Sequence, residues 1–175
     1  MVLSATLFES SNFFALFSLP SGWQIDRGLL DARYRKLQQE FHPDRFASKG
    51  DVDKRLALQT TSLINQAYET LKSPLKRAQY LLELEDLDAA QESHITSDGQ
   101  FLMQQIEFRE TLGDLNETAD PITALDTMRT DVQSQYLQLQ NDFEAQHLAA
   151  NYTDALDTVA KMQFFSKLLD EIDQR

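Results

Sequence analysis

Apolar side chains in this 175-residue chain recur every three or four residues, and no run alternates with period two over a useful length. Such spacing lines one face of a helix and cannot line one face of a strand. Leu30, Tyr34, Leu37 and Phe41 are spaced 4, 3 and 4. Leu125, Met128, Val132, Tyr136, Leu139 and Phe143 follow at 3, 4, 4, 3 and 4, a heptad-like seam that runs on to His147. Five Gly and four Pro are too few for the turn-rich all-β classes. An all-α fold is expected.

Cap signals divide the chain into helices. Asn12 is placed to cap a short helix bearing Phe13, Phe14, Leu16 and Phe17, and Asp26 a second helix reaching about Phe41. A loop over 42–50 leads to a third helix, about 52–71, with Leu56, Leu63, Ile64, Ala67, Tyr68 and Leu71 inward. Helices two and three should form an antiparallel pair. Ser73-Pro74 reads as the cap and first position of a fourth, to about Leu84. Residues 85–96 are polar and weakly periodic and read as a connection, with His94 in it. Beyond it, Ser97 or Asp98 opens a helix to about Leu112, Asp120-Pro121 opens the long one, and a last runs from about Asp154 to Asp173. The expected domains are 1–84, with an extension at 1–11 before the first helix, and a three-helix unit at 97–175.

Charge divides the chain at a similar place. Residues 1–80 carry 11 basic and 8 acidic side chains, net +3, and residues 81–175 carry 5 and 20, net −15. An acidic second half repels phosphate backbones and anionic lipid, so neither nucleic acid nor membrane is an expected partner. No apolar run approaches the ~18 residues of a membrane helix. The first basic residue is Arg27 and Glu9 interrupts the N-terminal apolar stretch, which fits neither a secretory signal nor a transit peptide. A cytoplasmic protein is expected.

Enzyme signatures are missing. The three histidines, His42, His94 and His147, lie far apart, there is no Gly-rich phosphate loop or nucleophile elbow, and there is no cysteine. Neither a resident metal nor a cofactor is expected. His147, on the seam, reads as a satisfied core histidine. His42-Pro43-Asp44 is different, because it follows directly on an amphipathic helix. Proline fixes its own φ and drives the preceding residue toward extended backbone, so the helix must stop there. A stiff corner results, showing an imidazole and a carboxylate suited to docking. At about 100° per residue, Arg35, Lys36 and Gln39 lie opposite the apolar stripe and lead a positive face up to it.

Tyr34-Arg35-Lys36-Leu37, Phe41-His42-Pro43-Asp44 and Ile64-Asn65-Gln66-Ala67-Tyr68-Glu69-Thr70-Leu71 together resemble the J domain. The resemblance implies a co-chaperone that stimulates a DnaK-type ATPase through His42, Pro43, Asp44, Tyr34, Arg35 and Lys36. Asp31 departs from it, since many J domains are basic there. Further along, Leu75-Lys76-Arg77-Ala78-Gln79-Tyr80-Leu81-Leu82, the run from Phe101 to Glu110 and the run from Val159 to Phe165 resemble HscB-type co-chaperones, so the likeness reaches nearly the whole chain past residue 11. It implies delivery of an IscU-type iron–sulfur scaffold to an HscA-type ATPase. Mitochondrial relatives often carry a Cys-x-x-Cys module that this sequence lacks, which favours the bacterial form.

Periodicity marks a second surface. Phe101, Phe108 and Leu112 share one narrow stripe, while Leu102, Met103 and Ile106 point about 100–200° away from it. On the last helix, Val159, Met162, Ser166 and Leu169 share a face and Phe164 projects from the other side. A second apolar face implies another neighbour, either the first unit or a partner protein. The resemblance implies scaffold contacts at Leu102, Met103, Ile106, Glu107, Arg109, Glu110, Asp114 and Phe164, although the family commonly has Leu for Ile106 and Glu for Asp114. A J-domain protein with another client is the alternative, and a helical structural protein is a third reading.

Overall fold

The computed structural model describes residues 12–46, 49–89 and 98–175, and every regular element among them is helical. The N-terminal extension, Ala47 and Ser48 of the loop, and 90–97, including His94, lie outside the described residues. The helices are α1 (Phe13–Leu16), α2 (Arg27–Phe41), α3 (Asp51–Lys72), α4 (Pro74–Glu83), α5 (Gly99–Gly113), α6 (Pro121–Leu148) and α7 (Tyr152–Asp173). Short 3₁₀ turns follow α2 at Pro43–Phe46 and α5 at Asp114–Glu117.

Side chains start these helices where the sequence placed them. Asn12 accepts from the Ala15 amide, Asp26 from Leu29, Asp98 from Gln100 and Phe101, and Asp120 from Thr123. Each satisfies amides that the first helical turn leaves without a partner. The chain divides into two units, Met1–Leu81 and Leu82–Arg175. The start of the expected connection is committed to the second unit: Ala89 is buried, and its carbonyl accepts from the Gln163 side chain at 3.0 Å.

In the first unit, α2 and α3 form the hairpin, with Leu30, Phe41, Ile64, Ala67 and Leu71 buried. Leu56, Leu63 and Tyr68 are only half-buried, and Ala57 and Thr60 take inward positions instead. Phe13 on α1 stacks on Tyr80 at 4.4 Å between centroids and donates its amide to the Tyr80 hydroxyl. Arg33 donates to the Phe17 and Ser18 carbonyls that α1 leaves open, and buried Arg77 donates to the Leu71 carbonyl at 2.8 Å with its guanidinium over Trp23. These two cations are part of the fold.

The second unit packs α5, α6 and α7 around Phe101, Phe108, Leu112, Met128, Val132, Phe165, Leu168 and Ile172. On α7 the buried face differs from the expected one. Phe165 and Leu168 are inside, while Ser166 and Leu169 sit at the margin, because the stripe on this helix follows Ala155, Val159, Met162 and Phe165. His147 stacks on Phe143 but is not a satisfied core histidine, since its buried Nε2 has no hydrogen-bond partner.

Candidate functional site

The corner forms because α2 can go no further. His42 has φ −57° and ψ 129°, the extended geometry that the following proline imposes. Pro43–Phe46 then winds one 3₁₀ turn, with the Arg45 amide donating to the His42 carbonyl at 3.0 Å. Two side chains close the end of α2: Thr61 donates its hydroxyl to the Phe41 carbonyl at 2.9 Å and Arg45 its guanidinium to the Gln39 carbonyl at 3.1 Å. His42 and Asp44 stand in solvent, their side chains 54% and 89% exposed. His42 Nδ1 lies 3.3 Å from the Asp44 amide and 3.6 Å from its carboxylate. The ring nitrogen accepts from the amide and faces the carboxylate. The backbone keeps both groups on one exposed turn.

Arg35 and Lys36 are exposed on the outer face of α2. Tyr34 is not beside them. Its ring stacks on Tyr68 of α3 at 3.9 Å and its hydroxyl donates to Asn65 Oδ1 at 3.0 Å. Gln38 reaches the same oxygen, and the Tyr68 hydroxyl donates to Asp31 Oδ1 at 3.0 Å. Burial and the Asp31 carboxylate push the Tyr68 hydroxyl above its usual range. The acidic departure at Asp31 therefore serves the hairpin and stands beside Tyr68, and Tyr34 braces the basic face from behind. A single-helix projection cannot show this, because it carries no register for the partner helix.

On α5, Leu102, Met103 and Ile106 are 40%, 60% and 50% exposed, and Glu107, Arg109, Glu110 and Asp114 are exposed around them. Phe164 corrects the expectation. It does not project away from the core but is half-buried, edge-on to Phe101 at 5.5 Å and to Phe165 at 5.4 Å. It supports the phenylalanine cluster beneath α5.

Lys161, which the periodicity does not mark, ties that helix down. Its ammonium donates to Asp98 Oδ2 at 2.7 Å and to Asp157 Oδ2 at 3.0 Å, while Asp98 Oδ1 caps α5. The hydrogen bond from Lys161, with those from the Phe101 and Gln100 amides, holds the Asp98 carboxyl below the usual range. Burial pulls Lys161 down, but its bonds to the two carboxylates outweigh that and leave it raised. A depressed acid stabilises the fold above its unfolded pKa and loses that contribution as pH falls through the folded one. Lys161→Met should therefore lower the melting temperature by a few degrees at neutral pH, and the gap to the parent should close under acid; thermal melts across pH check this. Among the described residues no group of three His, Asp or Glu side chains could hold a metal ion.

A helical hairpin closed by an exposed His-Pro-Asp turn, on a chain with a second helical unit, defines a J-domain co-chaperone that carries a further helical domain. The DnaJ domain family matches residues 18–80 and the HSCB C-terminal oligomerisation domain family matches residues 97–173. The co-chaperone protein HscB homolog of Shewanella pealeana is 41% identical over 170 residues, covering 92% of this chain and 94% of its own. Chaperone HscB from Vibrio cholerae superposes with a TM-score of 0.85 at 37% identity, over 93% of this chain and 96% of its own. Human co-chaperone HscB superposes at 0.86 with 25% identity, over 94% and 82%. The chain belongs to the HscB family of co-chaperones. Its function is that of an iron–sulfur cluster assembly co-chaperone, and it is not itself an enzyme.

Proposed function

We propose that the protein is a two-ended adaptor. Through His42, Pro43 and Asp44, with Arg35 and Lys36 leading up to them and Tyr34 bracing the face, the first unit triggers ATP hydrolysis in an HscA/DnaK-type chaperone. Through Leu102, Met103 and Ile106, within the acidic rim of Glu107, Glu110 and Asp114 and beside Arg109, the second unit presents an IscU-type scaffold to that chaperone. Phe164 holds the patch helix from below. The work is done in the bacterial cytoplasm, and no helix among the described residues is long and apolar enough to cross a membrane.

The observation that carries this reading is the pairing, on one chain, of an exposed rigid corner with an exposed apolar patch that the local core does not use. Exposed apolar groups clustered within a charged rim mark partner surfaces. Steady-state turnover of the chaperone ATPase tests it: the protein alone should raise turnover, and adding the scaffold should raise it further. No rise with either would defeat the proposal.

The basic face should act through charge. Arg35→Ala with Lys36→Ala should weaken docking to the ATPase about tenfold at low salt and less at high salt, as ions screen exposed charges. Titrations at two ionic strengths measure it, and equal losses at both would reduce the face to a solvated surface.

A further inference from the structure

Beside the patch lies a groove that the scaffold contacts do not account for. Met103, Glu107, Glu110 and Asp114 recur at 4, 3 and 4 and form one row along α5 into its 3₁₀ turn. Leu102 and Ile106 lie on one side of that row. On the other side, between α5 and α6, is a cavity of about 640 Å³. Its floor is apolar, with Phe108 and Met128 among the lining residues, and Asp120, the N-cap of α6, and Asp131 on that helix line it as well. Eleven residues of helix separate those two carboxylates by about 16 Å.

The polar lining offers acceptors and no side-chain donors. Thr111 donates its hydroxyl to the Glu107 carbonyl at 2.8 Å, Thr123 to Asp120 Oδ2 at 2.7 Å, and Thr127 to the Thr123 carbonyl at 2.8 Å. Each proton is thus used inside the helices, leaving oxygen lone pairs toward the groove. Hydrogen bonds from the Thr123 hydroxyl and amide hold the Asp120 carboxyl below its usual range, so it is charged at neutral pH. No basic residue lines the cavity, and Arg129 on α6 is paired with Asp126 and Asp173.

An apolar floor beneath a rim of acceptors selects long side chains that end in donors only, which are Lys and Arg. The span of about 16 Å accommodates about five residues of extended chain at ~3.3 Å each. We propose that this groove receives a basic, extended segment of the scaffold protein that docks on the adjoining patch, with its cations at the Asp120 and Asp131 ends and their aliphatic stems on Phe108 and Met128. The proposal rests on the scaffold reading above. It extends the interface across the acidic row from the apolar side to the α5–α6 side.

Scaffold binding by the full-length protein, measured by calorimetry at low and high salt, tests it in the parent and three variants. Thr127→Arg with Asp131→Lys places cations where the partner's should sit, on exposed positions of a helix that both residues tolerate. That variant should bind the scaffold at least tenfold more weakly and with less salt dependence, while still stimulating the ATPase in the scaffold's absence. Asp131→Asn, nearly isosteric, guards against misfolding of the double variant and should by itself flatten the salt dependence. Leu102→Ala with Ile106→Ala reports on the patch. If the patch variant loses affinity and both groove variants bind as the parent does at each salt concentration, the groove proposal is overturned and the scaffold reading stands. Failure of the parent to bind scaffold at all overturns both.

Discussion

His42→Gln and Asp44→Asn are each expected to abolish stimulation of the chaperone ATPase while shifting the melting temperature by no more than about four degrees. The asymmetry follows from what holds the turn. The Pro43 ring, the Arg45 amide on the His42 carbonyl, and Thr61 and Arg45 on the last carbonyls of α2 maintain its backbone, and neither substitution touches them. The His42 ring contributes only solvent-exposed contacts, at 3.3 Å from the Asp44 amide and 3.6 Å from its carboxylate. Exposed changes of this kind cost within about 0.5 kcal/mol, which is one to a few degrees in a unit this size. The lost function is large because the carboxylate and imidazole are the groups offered to the partner, and a charge-assisted bond has no substitute at a preformed interface. Single-turnover ATPase assays and thermal melts on the same samples separate the two effects. Stimulation that survives in either variant would falsify the docking role of the corner.

Local chemistry was legible in the sequence; the meeting of helices was less so. Asn12, Asp26 and Asp120 cap where expected, and Asp98 is the one of two candidates that caps α5, because a cap depends only on residues within one turn. Pro74 and Pro121 open their helices for the same reason. The 3₁₀ turns at Pro43–Phe46 and Asp114–Glu117 carry no periodic signal, being a single turn each. Periodicity put Tyr34 on the apolar stripe and the resemblance put it among the docking residues; neither reveals the cross-helix ladder that its ring forms with Tyr68 and Asn65. Tyr34 and Gln38, four residues apart and both able to donate, were the available hint of a shared acceptor on the facing helix. Phe164 shows the same limit. Helical phase fixed its direction on α7, but only the three-dimensional packing reveals that Phe101 stands in that direction.

That correction sets the design of the second large-effect test, in which the patch and its support are removed separately. Leu102→Ala, Met103→Ala and Ile106→Ala together should reduce scaffold affinity by a hundredfold or more. Each apolar anchor at an interface centre contributes about 1–3 kcal/mol, and losses from adjacent anchors combine without being strictly additive. Folding should change little, since these side chains are already 40–60% exposed and have only part of their area to lose. Phe164→Ala should behave oppositely. Its edge contacts to Phe101 and Phe165 lie at the border of the core, and removing them should cost roughly 1 kcal/mol, or about 4–8 °C in a unit of this size. Scaffold affinity should then fall only as far as the tilt of α5 changes, and Phe164→Leu should recover much of both losses by refilling the space. Stimulation of the ATPase without scaffold should be untouched in all of these variants, because the His42–Asp44 corner is intact. A triple variant that melts early yet binds normally would place Leu102, Met103 and Ile106 in the fold, and Phe164→Ala losing affinity at full stability would return that ring to the interface.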